Sequence, residues 1–286
     1  MIKSYRISVL ILSRCLLFIN ICLLVILLLF LSFLPALANL RYTVCFYNPE
    51  TNINNFALIK SEFDRYLSDY GYFQFQPFSD RDTFEKFIVG RKDGVYLISS
   101  WHFRKLKREY PMEMEAKLVG VSKGRPTHIK ILTVRKSITN VNLLKGKIIA
   151  AAGSKEYTKG VLLEMLGEDQ KSIVDSLRIL IVPKDIDALM AVGFGMADSA
   201  LTTESSLTKL AEINLKQYRI LRQLAASKET LLPIIAAPKK LDENISSLLR
   251  VFENMGKTPV GQNKLRMLGM DGWKKLGNAE RRFLEE

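Results

Sequence analysis

Between Arg41 and Ala237, short apolar runs alternate with amphipathic ones, and few hairpin signals separate them. That alternation restricts the fold more than any other feature, because strand, helix, strand order brings successive strands side by side in one sheet. Strands are expected at Arg41–Tyr47, Phe73–Phe78, Val95–Ser99, Leu118–Val121, Ile129–Val134, Gly146–Ala152, Leu177–Val182, Ala197–Leu201, Tyr218–Leu224 and Leu231–Ala237. Phe56, Ile59, Phe63 and Leu67 recur at helical steps, and Gly71 supplies a stop. Further helices are expected after the caps Asp82 and Asp185, over residues 100–110, from Ser154 to Leu166, from Ser205 to Glu212, and with short breaks from Leu241 onward. Asp93-Gly94 reads as a turn. The fold class is therefore α/β, with mixed, mostly parallel sheets. Ligands of such sheets bind where strands end and loops lead into helix N-termini. That rule selects the loops Tyr47–Asn54, Ser99–His102, Gly153–Thr158 and Thr202–Ser206.

Residues 1–38 are of another kind. Lys3, Arg6 and Arg14 precede an almost unbroken apolar run from Cys15 to Leu34, which meets Pro35-Ala36-Leu37-Ala38. Basic, apolar and small-residue regions in that order form a secretory signal pattern, with cleavage expected after Ala38. The run is also long enough to span a bilayer. Two readings stay open: a cleaved signal peptide, or an N-terminal membrane anchor. Either places the body outside the cytoplasm, in the periplasm. Arg14 before Cys15 and Ile21 before Cys22 give no lipid-attachment motif.

The body is then about 248 residues with a net charge of about +10, because the segment removes three bases and no acid. That length suits one large domain or two modest lobes. Cys45 is the only cysteine of the body, so no disulfide forms within it. With only His102 and His128 and no CxxC, a zinc site is not expected, and no other cofactor is indicated. Gly120-Val121-Ser122-Lys123-Gly124 matches the serine-hydrolase elbow, but Pro126 and a strand-like segment follow where that elbow needs a helix. Gly193-Phe194-Gly195 ends a helix and so is not a dinucleotide loop. Little chemistry is left, which favours binding over catalysis. The spread positive charge fits an anionic small ligand or membrane surface. An exported protein has no expected nucleic-acid partner.

Three passages carry a family resemblance. The first is Ile131-Leu132-Thr133-Val134-Arg135-Lys136 with Leu143-Leu144-Lys145-Gly146-Lys147-Ile148-Ile149-Ala150. The second is Asp187-Ala188-Leu189-Met190-Ala191-Val192 with Gly195-Met196-Ala197-Asp198-Ser199-Ala200. The third is Leu268-Gly269-Met270-Asp271-Gly272-Trp273. Together they resemble the phosphonate/phosphate-type solute-binding proteins of ABC transporters, within the type II periplasmic binding fold. The resemblance implies two lobes, residues 39–127 plus 229–286 and residues 128–228. They would be joined by two hinge-crossing strands, Ile129–Val134 and Leu231–Ala237. It implies a small anionic ligand held in the interlobe cleft and an ABC permease as partner. A membrane-anchored sensor of the same fold is the alternative.

The resemblance also implies a set of ligand-binding residues. The family's S-T-S-G anion cradle aligns with Tyr157-Thr158-Lys159-Gly160, where Thr158 and Gly160 match and Tyr157 and Lys159 depart. Ser154 begins the same helix, whose free N–H groups and dipole favour an anion, although ordinary capping explains Ser154 and Thr158 equally well. Ser99, Ser100 and Trp101 follow a strand where the family contacts ligand, and Tyr47 and Asn48 follow another. Thr203 and Glu204 stand on the switch-point loop, where Glu204 either reads a cationic end of the ligand or caps the dipole of its own helix.

Overall fold

The computed structural model describes residues 42–285 apart from 52, 54, 90, 92, 93, 111 and 112. The expected signal or anchor segment, Arg41 and Asp93 lie outside the described residues. Among the described residues no helix is long and apolar enough to cross a membrane.

The first sheet has six strands. β1 (Tyr42–Tyr47) lies between β2 (Phe73–Pro77) and β3 (Val95–Ile98), and both ladders are parallel. β12 (Ile234–Pro238) then pairs antiparallel with β3 and with β4 (Met114–Val121), and β13 (Gly272–Lys275) closes the edge beside β4. The second sheet has five strands. β7 (Ile148–Ala151) lies parallel between β8 (Arg178–Ile181) and β9 (Ser199–Thr203). β6 (Lys130–Arg135) runs antiparallel between β9 and β10 (Leu221–Ala226). The sheets are thus mixed. Parallel ladders centre on β1 and β7, and antiparallel ones arise where the chain enters or leaves a sheet. The two passages between sheets run through β5 (Thr127–His128) and β11 (Thr230–Leu231), which pair with each other.

Successive residues of a strand point to opposite faces, and the central strands of both sheets are buried on each face. Val44 and Phe46 of β1 enter one core with Phe63 and Leu67 of α1 (Phe56–Ser68) and Leu248 and Phe252 of α9 (Glu243–Asn254). Cys45 and Tyr47 enter the opposite core with Phe84 and Ile88 of α2 (Arg81–Ile88) and Phe103 and Leu106 of α3 (Ser100–Glu109). The second sheet repeats the scheme. Ile149 and Ala151 pack on Tyr157, Val161 and Leu162 of α4 (Lys155–Leu166). Ala150 and Ala200 pack on Ala188 and Leu189 of α6 (Asp185–Gly193).

Several expected boundaries shift for local reasons. The cap of α2 is Asp80, whose side chain accepts from Thr83 N–H at 2.8 Å, and Asp82 falls inside the first turn. Asp185 is the first residue of α6 and Lys184 precedes it at the cap, with no side-chain bond. Tyr218 belongs to a short helix, Leu215–Arg219, because the Asn214 side chain caps Gln217 N–H, and the strand starts only at Leu221. The expected strand 231–237 is broken at Pro233, which has no N–H; its carbonyl instead accepts from Gly120 N–H at 2.8 Å. β13 escaped notice because Trp273 is its one apolar side chain of any size. At the rejected hydrolase motif, Ser122 and Arg125 exchange backbone hydrogen bonds around Lys123 and Gly124, both with positive φ. That is a tight turn with no helix to support a nucleophile.

Candidate functional site

The site lies where strand ends of the two sheets face each other. After β1 the chain passes Asn48, Pro49 and Glu50. The Asn48 side-chain oxygen accepts from Glu50 N–H at 3.0 Å, a local turn that Asn favours. Pro49 O accepts from Ser154 N–H at 2.7 Å, so this loop touches the start of α4 in the other sheet's layer. Gly153 permits the approach, since a Cβ there would lie 2.9 Å from Pro49 O and 2.5 Å from the Tyr157 ring. Beside this contact lies a cavity of about 180 Å³, lined among others by Tyr47, Asn48, Ile53, Phe78 and Ser154.

Behind the contact is a buried polar cluster. Glu50 is only 4% exposed, and Lys130 5%. The Tyr157 and Ser99 hydroxyls stand beside the Glu50 carboxyl. His128 Nε2 lies 3.4 Å from it, an approach too poorly aligned to count as a hydrogen bond. Lys130 Nζ is 3.2 Å from Asp185 and 5.8 Å from the Tyr157 ring centroid. Burial raises the Glu50 carboxyl to about 7, against the pull of Lys130 and of the neighbouring Tyr157 and Ser99 hydroxyls. Burial, aided by Lys130, lowers His128 to about 3, so its ring is neutral at ordinary pH. Burial also pushes the Tyr157 hydroxyl well above its ordinary value. These groups can hold a proton and direct donors at an oxyanion.

Most of the expected residues meet at this seam, with different degrees of freedom. Tyr47 is stacked on Phe84, with ring centroids 5.4 Å apart, and edge-on to His102. Burial pushes its hydroxyl up to about 12. Ser99 caps α3 by accepting from His102 N–H at 3.1 Å. His102 is held in turn by Glu85, 2.9 Å from Nε2. Ser100 donates to Leu231 O at 2.7 Å, so its hydroxyl is committed to the chain passage. Ser154 caps α4 by accepting from Tyr157 N–H. Trp101 stands edge-on to Tyr157 and packs across Gly160. In the aligned cradle Thr158 is fully buried, whereas Lys159 turns away to Asp175, 3.7 Å distant. Thr203 pairs in register with Lys130 and caps α7 (Glu204–Ile213). Glu204 is exposed at the start of that helix.

Sequence reasoning missed Glu50, His128, Lys130 and Asp185. The signal for Glu50 was present, since it is the first acid of the chain and follows Tyr47-Asn48-Pro49 at a strand's carboxyl end. Across the same seam Glu156 pairs with both Arg81 and Lys105, and Arg104 reaches Glu164 at 3.7 Å. Glu156→Gln is expected to lower stability by about 1 kcal/mol at low salt, in the range of exposed ion pairs. The loss should vanish in 1 M salt, as denaturant titrations at both ionic strengths would read.

Two mixed sheets joined by paired passages, with helix starts meeting between them, define the architecture of the type II periplasmic binding proteins. A family model described as ABC transporter, phosphonate, periplasmic substrate-binding protein matches residues 68–280, and the chain belongs to that family. It is a substrate-binding component and not an enzyme. Among solved structures, a binding protein component of an ABC phosphonate transporter from Pseudomonas aeruginosa is similar at TM-score 0.59 and 14% identity, covering 86% of each chain. PhnD1 from Prochlorococcus marinus in complex with methylphosphonate gives 0.59 and 12%, covering 85% of this chain and 96% of that one. A Xanthomonas citri protein bound to ATP gives 0.59 and 13%, covering 85% and 94%. At such identities the likeness is one of fold. No curated protein matches the chain in sequence.

Proposed function

We propose that this protein is exported and captures a small oxyanion, phosphonate- or phosphate-like, in a cleft between two lobes for delivery to an ABC permease. The lobes are residues 39–127 with 229–286, and residues 128–228, and closure works about the β5 and β11 passages. The observation that carries the reading is the convergence of Ser99, Tyr157 and Lys130 with the starts of α3 and α4 on one buried seam. Hydroxyls, helix N–H groups and a buried ammonium are what an oxyanion requires. Membership of a phosphonate-binding family supports the same ligand class. Glu204, exposed beside Thr203, is free to read a cationic end of a larger ligand.

A thermal-shift series with methylphosphonate, phosphate, phosphite and alkylsulfonates tests this. A true ligand at a hundredfold its Kd adds about 2.7 kcal/mol. For a body of this size that is a rise of about 5–10 °C. No rise with any oxyanion would sink the reading. The apolar run Cys15–Leu34 supports a second reading, in which the N-terminus is retained and the protein is a tethered sensor. N-terminal sequencing of the mature protein separates the two: a start after Ala38 means a free shuttle, and a start at Met1 an anchor.

A further inference from the structure

The donors that suit a captured oxyanion do not stand open. The Glu50 carboxyl is buried among them, 4% exposed, with His128 Nε2 3.4 Å away, the Tyr157 and Ser99 hydroxyls beside it and Lys130 as the chief attractive charge upon it. These groups come from the end of β3, from β5, from the start of β6 and from the first turn of α4. Around them stand Asp185 and, further along α4, Glu164. What they surround is a carboxyl group delivered by the chain itself. The loop is shaped for the delivery: Asn48 turns the backbone at Glu50, and Pro49 O is fastened to Ser154 N–H. A carboxylate offers two acceptor oxygens, the same chemistry as two oxygens of a phosphonate.

We infer that Glu50 is an internal ligand of the cleft: its carboxyl occupies the place of a captured oxyanion's oxygens, and a solute binds only by displacing it. This rests on the oxyanion reading and adds a selectivity rule to it. A tethered carboxyl competes at an effective concentration of about millimolar or more, set by its short loop. A free carboxylate exchanges like for like against that tethered copy and gains nothing. A tetrahedral oxyanion brings a third oxygen, and with it a further donor contact. The observed affinity for any solute is lowered by the fraction of molecules whose seam is vacated. Glu50 therefore sets both how tightly the cleft binds and which acids it ignores.

The test uses the whole mature protein and the variants Glu50→Ala and Glu50→Ser, each checked for a single cooperative melt. Methylphosphonate is titrated calorimetrically, and acetate is screened by thermal shift. Both variants are expected to bind methylphosphonate at least tenfold more tightly than wild type. Acetate should raise the melting temperature of the variants, refilling the vacated place, and leave wild type unmoved. Wild-type affinity in both variants with no acetate response overturns the internal ligand, while wild-type binding of methylphosphonate keeps the oxyanion reading. An acetate response without methylphosphonate binding by any form upholds the internal ligand and rejects phosphonate as the solute. Methylphosphonate binding that is lost in both variants also overturns it, since Glu50 would then hold the solute rather than compete with it.

Discussion

Urea unfolding of wild type and Glu50→Gln at pH 5 and at pH 8 is expected to show the variant gaining about 2–3 kcal/mol on wild type between the two values. The sign follows from the direction of the shift. Burial raises the Glu50 carboxyl to about 7 in the fold, from 4.5 in the open chain. Between those values the folded state holds a proton that the unfolded chain has released. Its contribution is full below about pH 4.5 and is lost as pH rises through 7. The amide of the Glu50→Gln variant stands in for the protonated acid at every pH and loses nothing. The comparison is made as a difference because two other buried groups act in the opposite direction. His128 and His102 are lowered by burial to about 3 and about 4, so each favours the fold as pH rises toward 6.5. Both occur in wild type and variant alike and cancel. Lys130, Asp185, Tyr157 and Ser99 face Glu50 in both proteins too. An unchanged difference across this range would mean that Glu50 stays ionised in the seam.

The second large effect concerns Trp101 and Gly160. Gly in the interior of an exposed helix costs about 1 kcal/mol relative to Ala, so Gly160→Ala would ordinarily stabilise. Here the added Cβ would lie 2.9 Å from Cζ2 of the Trp101 indole. That ring is half-buried, edge-on to Tyr157 with centroids 5.4 Å apart, and covered by Lys105 Nζ at 5.7 Å. It has little room to retreat. Gly160→Ala is expected to cost about 1–2 kcal/mol in the wild-type background. Trp101→Ala should cost about 2–4 kcal/mol, toward the low end of large-to-small replacements because the ring keeps some exposure. In that truncated background Gly160→Ala should turn favourable by about 1 kcal/mol. A double-mutant cycle therefore reads a coupling of about 2–3 kcal/mol. Additive changes would mean that the indole does not seal the seam against α4.

Much of the architecture was legible because both sheets are covered on each face, so their central strands read as continuous apolar runs. Val44, Phe46 and their alternates Cys45 and Tyr47 announce β1 by apolar character alone. β13 is a different case, since edge pairing with β4 holds it in place and few apolar side chains are needed. The candidate site was legible in its loops and less so in its chemistry. Strand-end logic selected the loops that hold Tyr47, Ser99, Ser154 and Tyr157 without any contact being known. It could not find that Ser100 is committed to Leu231 O, or that Lys159 faces Asp175. Lys130 and Asp185 escaped because lysine and aspartate are ordinarily solvated, and only tertiary burial makes them a pair. His128 was weighed only as a metal ligand. Its actual company, Glu50, lies 78 positions earlier in the chain (128 less 50).

The order of strands in the first sheet bears on how the chain acquires its structure at all. Its central ladders join β3 and β4 to β12, so one side of each of these strands waits for residues 234–238 before it is paired. The five-stranded sheet, by contrast, draws on the unbroken stretch 130–226. A chain growing from its N-terminus completes that second sheet while the apolar edge Val95-Tyr96-Leu97-Ile98 is still bare on the side that β12 will take. Non-local pairing of this sort is slow, and an uncovered apolar edge invites pairing with other chains in the interval. The nascent protein is thus most exposed to aggregation late, when it is nearly complete, and the segment from β12 onward governs the yield of folded molecules out of proportion to its length.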